Sequence, residues 1–273
     1  MNKDFRKVLA FPYIIWMAGF TIIPPSLIFI YGLTDKSGRF TFANVLAIFA
    51  GEHFKALILS ISLSVVSTVI CLIMAFPLAL TLKSKKLDKG SLIVFIFILP
   101  MWMNFLLRTL AWLSLLEKNG IINTILHFLH LPGLNIINTP AAIILGMVYN
   151  YLPFMVLPIY NVLEKIDDNT INAARDLGAN TMQTFTKVIM PLSIPGIVSG
   201  VTMVFVPALT TFVISNILGG SKVLLIGNVI EQECTKGSNW NLGSGLSLIM
   251  MIFILISMAF IAKYDKDGEG ISV

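Results

Sequence analysis

The sequence predicts an all-α, polytopic membrane protein with six transmembrane helices, and three observations carry that prediction. Charged residues make up only 12% of the chain and hydrophobic residues 56%, against roughly 25% charged in an ordinary soluble domain. Mean hydropathy is +0.87, so there are too few charges to clothe a water-facing surface. Apolar runs recur along the chain, bounded by charges, each long enough for the about 20 residues that a spanning helix needs.

The elements follow in order. Lys3, Arg6 and Lys7 precede a charge-free run from Val8 to Thr34. That run exceeds the roughly 7–15-residue core of a signal peptide and has no small-x-small cleavage site, so an uncleaved first span is expected. The second span lies between Lys55 and Lys83 and runs into the basic loop Lys83-Ser-Lys-Lys-Leu-Asp-Lys89. A third extends from near Ser91 to about Leu116 and carries Arg108. Thr139-Pro140, a capping residue followed by a first-turn proline, opens the fourth, which continues to about Leu163 with Pro153 and Pro158 as expected kinks. The fifth falls within the charge-free run Val188 to Gly220, interrupted by Pro195 and Pro207. The sixth occupies Leu242 to Ile261, before the polar tail Lys263-Tyr-Asp-Lys-Asp.

Orientation follows from the positive-inside rule. With the N-terminus in the cytoplasm, twelve lysines and arginines fall on the cytoplasmic side and six outside, with Arg108 left within a span. Both termini are therefore expected in the cytoplasm. The formal charge of +5 then reflects cytoplasmic lysines rather than nucleic-acid binding.

Between the fourth and fifth spans lies a polar island, Asp168 to Pro191, and the same count places it in the cytoplasm. It reads as two short helices around a glycine. Asp168 is a good N-cap for a helix from Asn169 to Leu177. Gly178 stands where a left-handed residue ends that helix. Asn180 with Gln183 is a capping-box pair for a second helix, and Pro191 makes that helix stop or bend. Thr170, Ala173, Ala174 and Leu177 form a small, apolar stripe beside the polar Asn172, Arg175 and Asp176. Such a stripe suits a peg docking on another protein, or a surface helix packed on its own domain.

Catalytic chemistry is missing. Gly219-Gly-Ser-Lys222 lacks phosphate-loop spacing, so ATP, if it drives transport, binds another chain. His53, His127 and His130 fall in external connections and make no metal-ligand set. Cys71 and Cys234 give no disulfide framework. The spans contain no aspartate, glutamate or histidine, which argues against proton coupling. Arg108 either snorkels to the external headgroups or fixes packing and lines a cavity. Polar residues that are candidates for a translocation path are Asn104 and Arg108, four apart and so expected on one helix face, then Tyr149, Asn150 and Tyr151, then Thr210, Thr211, Ser215 and Asn216. Polar bonding between helices explains such residues as well. Glu231 and Glu233 alternate as if on one side of an extended segment near the external surface.

The string Asn172-Ala-Ala-Arg-Asp-Leu-Gly178, nine residues, then Val188-Ile-Met-Pro191 resembles the EAA loop of type I ABC importer permeases. Asn172 departs from the glutamate usual in that family. Leu99-Pro-Met-Trp-Met-Asn-Phe-Leu-Leu-Arg108, Tyr151-Leu-Pro-Phe-Met-Val-Leu-Pro158 and Gly219 to Ile230 are similar to segments of spermidine/putrescine (PotB-type) permeases. The resemblance implies a MetI-like permease fold in a bacterial cytoplasmic membrane: a first helix and external loop over residues 1–55, a permease core over 56–262 with the coupling loop at 168–191, and a cytoplasmic tail over 263–273. It implies a coupling loop made by Asn172, Ala173, Ala174, Arg175, Asp176, Gly178 and Pro191. It implies no cofactor in this chain, with ATP and magnesium held by a partner dimer of ABC ATP-binding subunits. A second, PotC-like permease and an external polyamine-binding protein complete the implied assembly. The same resemblance is compatible with importers of ferric ion, sulfate or other small solutes, and an ATP-independent channel with a regulatory docking loop is the alternative of another class.

Overall fold

The computed structural model describes residues 3–84, 99, 101–237 and 239–269. The described chain is helical, with one isolated bridge between Thr34 and Phe40. The helices of six residues or more are α1 (Lys3–Gly32), α2 (Gly51–Ser84), α3 (Phe105–Leu116), α4 (Ile121–Phe128), α5 (Pro140–Lys165), α6 (Asp168–Asp176), α7 (Thr181–Leu192), α8 (Ile194–Thr210), α9 (Val213–Leu218), α10 (Ile226–Thr235) and α11 (Trp240–Glu269).

Among the described residues, four stretches are long and apolar enough to cross a membrane: Ile15–Gly32, Gly51–Ser84, Pro140–Lys165 and Trp240–Ile261. The pair α7 and α8, bent by 62° between Leu192 and Ile194, makes a fifth if counted as one span. Residues 91–98 and 100 of the third expected span lie outside the described residues; its described part, 99 and 101–116, is helical from Phe105 to Leu116 as α3. Six spans are compatible with this set.

The chain divides into two compact units. One comprises residues 1–57 and 229–254. Here Asn241 Nδ2 donates to the Thr34 carbonyl at 2.7 Å, and Asn44 Nδ2 donates to the same oxygen at 2.8 Å. Gly245 lets α11 approach that turn closely, since a Cβ there would stand 2.6 Å from the Asn44 carbonyl carbon. At the turn, the Ser37 hydroxyl and the Arg39 backbone N–H hold the Asp35 carboxyl below the usual carboxylate range. Glu231 and Glu233 stand on helix α10, not on the extended segment expected from their alternation.

The other unit comprises residues 58–228 and 255–273 and holds the larger core. One stripe of α2 is small throughout, with Ser60, Ser64, Ser67, Cys71, Ala75 and Ala79 all fully buried. Small side chains bring helix backbones together where lipid gives no hydrophobic drive for association. The Ser64 and Thr68 hydroxyls return to carbonyls of their own helix, Ser60 and Ser64, so they add no unpaired polar group. Ala142, Ile143, Met147, Met155, Val156 and Ile159 of α5 complete the core.

Helix α8 packs closely on α5 because Gly196 and Gly200 carry no side chain. A Cβ on Gly196 would lie 2.9 Å from the Pro158 carbonyl oxygen and 3.0 Å from the Ile159 Cα, both backbone atoms. Pro158 and Pro153 sit inside α5 without ending it. The interruption expected at Pro195 lies instead at Ser193. Pro195 occupies the first turn of α8, where a missing N–H leaves no gap.

Gly196→Leu should therefore lower stability by about 1–3 kcal/mol through overpacking. The Gly19 position, where an added Cβ would meet no atom within 4 Å, supplies the control: Gly19→Ala should melt with the parent protein in a detergent thermal-unfolding assay.

Candidate functional site

Two regions of the larger unit gather the residues singled out in the sequence. The first is the island. Helix α6 begins one residue earlier than expected, with Asp167 as its N-cap and the Asp167 carboxylate accepting from the Asn169 N–H at 3.0 Å. Its end matches the sequence: Gly178 has φ +85°, and its N–H bonds to the Arg175 carbonyl at 2.8 Å. An L-residue in this left-handed conformation pays roughly 1–2 kcal/mol. The capping box at the start of α7 is complete, Gln183 N–H to Asn180 Oδ1 at 2.8 Å and Asn180 N–H to Gln183 Oε1 at 2.9 Å.

The two faces of α6 differ from a single apolar stripe. Ala174 and Ile171 are half-buried, while Thr170, Asn172, Ala173, Arg175 and Asp176 are exposed. Leu177 is 89% exposed and Met182 69%, so the tip of the island presents apolar side chains outward. Its base is fixed. Lys83 Nζ, at the end of α2, donates to the Ile166 carbonyl at 2.9 Å and stands 4.0 Å from the Asp168 carboxylate. Phe76 of α2 meets Phe185 edge-on with ring centres 5.7 Å apart. A cavity of about 410 Å³ lies between, lined by Lys83, Ser84, Asp168, Asn172, Arg175 and Ile189 among others. Residues Phe185 to Ile189 form a π-turn inside α7, and exposed Pro191 follows in the last turn before the bend.

The second region is the break between α8 and α9. Thr210 ends α8 and is exposed, its hydroxyl returned to the Val206 carbonyl at 3.1 Å. Thr211 leaves helical geometry at φ −66°, ψ 136° and is buried. Asn228, absent from the residues singled out in the sequence, closes this break. Its Oδ1 accepts from the Ser215 hydroxyl and from the Leu225 N–H at 3.0 Å, and its Nδ2 donates to the Phe212 carbonyl at 3.0 Å and to Asn216 Oδ1 at 2.7 Å. Every hydrogen-bonding position of that amide is used. The Ile226 N–H donates to the Ser60 hydroxyl of α2 at 2.8 Å. Ser215 is thus fully buried within a bonded clamp, while Asn216 remains exposed at its edge.

Asn104 and Arg108 do not share a helix face. Asn104 is the N-cap of α3, accepting from the Leu106 N–H at 2.8 Å and the Leu107 N–H at 3.4 Å. A side chain that closes a helix N-terminus favours that role over a helical one. Arg108 is 6% exposed, and its Nε and Nη1 are enclosed with no hydrogen-bond partner among the described residues. It lies within electrostatic reach of Tyr151, whose hydroxyl is bonded with the Thr211 side chain and donates to the Pro207 carbonyl at 3.3 Å. Tyr149 is partly exposed and stacks edge-on against Trp112 at 5.3 Å. Asn150 is buried, its Nδ2 bonded to the Gly146 carbonyl at 2.9 Å and its Oδ1 without a partner among the described residues. Tyr151 is therefore linked separately to Thr211 and to Arg108, whereas Asn104, Tyr149 and Thr210 lie on exposed surface. No group of three metal-ligating side chains occurs among the described residues.

Residues 43–266 match the family model described as "Binding-protein-dependent transport system inner membrane component". The chain is 36% identical over 269 residues to the spermidine/putrescine transport system permease protein PotB of Haemophilus influenzae, covering 94% of each chain. It is 37% identical over 215 residues to the protein of the same name from Escherichia coli, covering 78% of each. In fold it is similar to a chain of a bacterial ABC transporter involved in the import of the acidic polysaccharide alginate, with a TM-score of 0.79, 17% identity and 98% and 96% of the two chains covered. A chain of the inward-facing MetNI methionine ABC transporter matches at a TM-score of 0.54 and 16% identity, over 81% of this chain and 96% of that one.

Asn228→Leu should leave the Leu225 N–H and the Phe212 carbonyl unpaired, at about 1–3 kcal/mol for each buried group. A clear fall in the unfolding midpoint of the purified protein is expected, whereas Asn216→Ala, at the exposed rim, should move it little.

Proposed function

The chain belongs to the binding-protein-dependent transport system inner membrane component family, and from that premise we propose that it is the permease subunit of an ATP-driven polyamine importer. It is a multi-pass membrane protein of a permease family rather than an enzyme. The polyamine reading is supported by its likeness, over most of its length, to spermidine/putrescine permeases.

In this reading the chain forms one half of a translocation path, beside a second, PotC-like permease, in a bacterial cytoplasmic membrane with both termini inside. ATP and magnesium are held by a dimer of partner ATP-binding subunits, and an external polyamine-binding protein delivers the cargo. The observation that carries the coupling role is the shape of the island: a short helix standing outward, ended by a left-handed glycine, and bonded at its base to α2. Thr170, Ala173 and Leu177 face outward to a partner groove, with Asn172, Arg175 and Asp176 making the polar rim. Ala174 turns toward the protein and Gly178 sets the angle between α6 and α7. Pro191 precedes the 62° bend into α8. Because α8 is packed backbone-to-backbone on α5 at Gly196, a push on α6 moves a packed pair of helices rather than a loose loop. The break region, with Tyr149, Tyr151, Thr210, Thr211 and Asn216, is the part of this chain that faces the path in this reading.

Labelled spermidine uptake, with putrescine as competitor, tests the substrate and the role together. Uptake should require ATP and disappear from cells lacking this chain. Gly178→Val should assemble but import poorly, since valine in the left-handed region of Gly178 costs about 1–2 kcal/mol or forces the turn to rearrange. Parental uptake by a well-assembled Gly178→Val complex would refute the coupling role of this turn.

A further inference from the structure

Helix α4 has the opposite amphipathicity to a helix packed on its own protein. Ile121, Ile125, Phe128 and Leu129 fall within about 100° of its circumference, and all four are exposed, Phe128 by 83%. Nearly opposite them stands Asn123, a polar residue that is buried. Its Nδ2 donates to the Glu117 carbonyl at 2.9 Å and to the Leu134 carbonyl at 3.0 Å, and its Oδ1 accepts from the Leu134 N–H at 2.6 Å. That amide ties α4 to the chain before and after it, and so fixes which face turns outward. Leu131 and Leu134, just beyond the helix, are exposed as well.

The position of α4 in the chain says what this face meets. It lies between Leu116, where α3 ends, and Pro140, where the spanning helix α5 begins. Chain connection therefore keeps it near the level at which α5 leaves the membrane. Between Lys118 and Glu164 there is no charged residue. Single exposed apolar side chains are ordinary, but six between Ile121 and Leu134, with no charge among them, form a patch that needs an apolar medium. A face that docks a soluble partner has a polar rim and steers that partner by charge. This face has no charge with which to do so. The boundary between lipid headgroups and acyl chains, in contrast, takes a helix lying flat with its apolar side sunk about 5–10 Å.

We propose that α4 is an interfacial anchor: Ile121, Ile125, Phe128 and Leu129 insert into the lipid at the membrane surface, on the side where α5 begins, while Asn123 holds the helix to the chain on either side. In the orientation proposed above this is the outer leaflet. The attachment is apolar rather than electrostatic, so a zwitterionic lipid suffices. The anchor rests on the membrane spans already described and on no property of the cargo. It fixes the depth of the segment joining α3 to α5, and it gives that loop to lipid rather than to a soluble partner.

The test uses the full chain in phosphatidylcholine nanodiscs, with Cys234→Ser leaving only the buried Cys71. One nitroxide label at a time is attached at Phe128→Cys, at His127→Cys off the apolar stripe, at Val66→Cys in the middle of α2, and at Lys36→Cys on the exposed turn after α1. Collision with oxygen, which concentrates in lipid, is compared with collision with a water-soluble nickel chelate. The oxygen-to-nickel ratio at Phe128→Cys should approach that at Val66→Cys and exceed that at Lys36→Cys several-fold, and the ratio at His127→Cys should fall toward the Lys36→Cys value. Frequent chelate collision at Phe128→Cys would mean a helix facing water, and rare collision with both reagents would mean a face covered by protein; either overturns the proposal. Ile125→Cys gives the same reading should Phe128→Cys fail to fold. A chelate-accessible Val66→Cys label would instead overturn the spanning of α2, and with it the membrane placement from which α4 is argued.

Discussion

A buried backbone amide or carbonyl must find a partner inside the protein, and in an apolar membrane chain almost no water is available to supply one. The rest of this structure depends on how that demand is met where α8 stops. At Thr211 the backbone turns extended, and the helical ladder can no longer satisfy the groups that follow. One asparagine amide, Asn228, takes over the Phe212 carbonyl and the Leu225 N–H, while Ser60 of α2 accepts from Ile226. The break is thus a polar junction with fixed geometry, and Thr211 at its start is bonded with the Tyr151 side chain.

The same economy governs helix packing. Glycine lets α8 approach α5 to backbone distance, the buried stripe of α2 is all serine, cysteine and alanine, and the Ser64 hydroxyl turns back on its own helix. Close packing of this kind makes a stiff body, because low-volume contacts leave no side chain to rearrange. The island is bonded to α2 through Lys83 and continues through α7 and its 62° bend into α8, so its attachment is by hydrogen bonds, an aromatic contact and a bent helix pair.

Much of this was legible in the sequence because the signals were local. Gly178, the Asn180–Gln183 box and Thr139-Pro140 each act within a single helical turn, and backbone preference decides them. The apolar runs were legible because bilayer thickness fixes their length. What escaped was decided by tertiary contact. Asn228 sits in an unremarkable Gly-Asn-Val string, and its importance comes from residues 12–16 positions earlier. Asn104 and Arg108 fit a helical spacing, but an asparagine just before a helix start competes better as a cap than as a helical residue. The bend at Ser193 rather than Pro195 follows from the tolerance of a first helical turn for proline. Asp167 took the cap from Asp168 because either carboxylate can close that helix, and spacing alone does not choose between adjacent acids.

The two regions are physically one problem. Asn172 to Asp176 present mixed charge on an exposed helix, where water screens each group and pairs are worth little individually. Arg108 is enclosed, where a single charge outweighs several such surface pairs. Exposed pairs of that kind suit contacts that form and break, whereas an enclosed charge holds its surroundings in one arrangement. Between them runs a chain of packed helix from α6 through α7 and α8 to the break at Thr211. That chain ends at Thr211, whose side chain is bonded with Tyr151, and Tyr151 lies within electrostatic reach of Arg108.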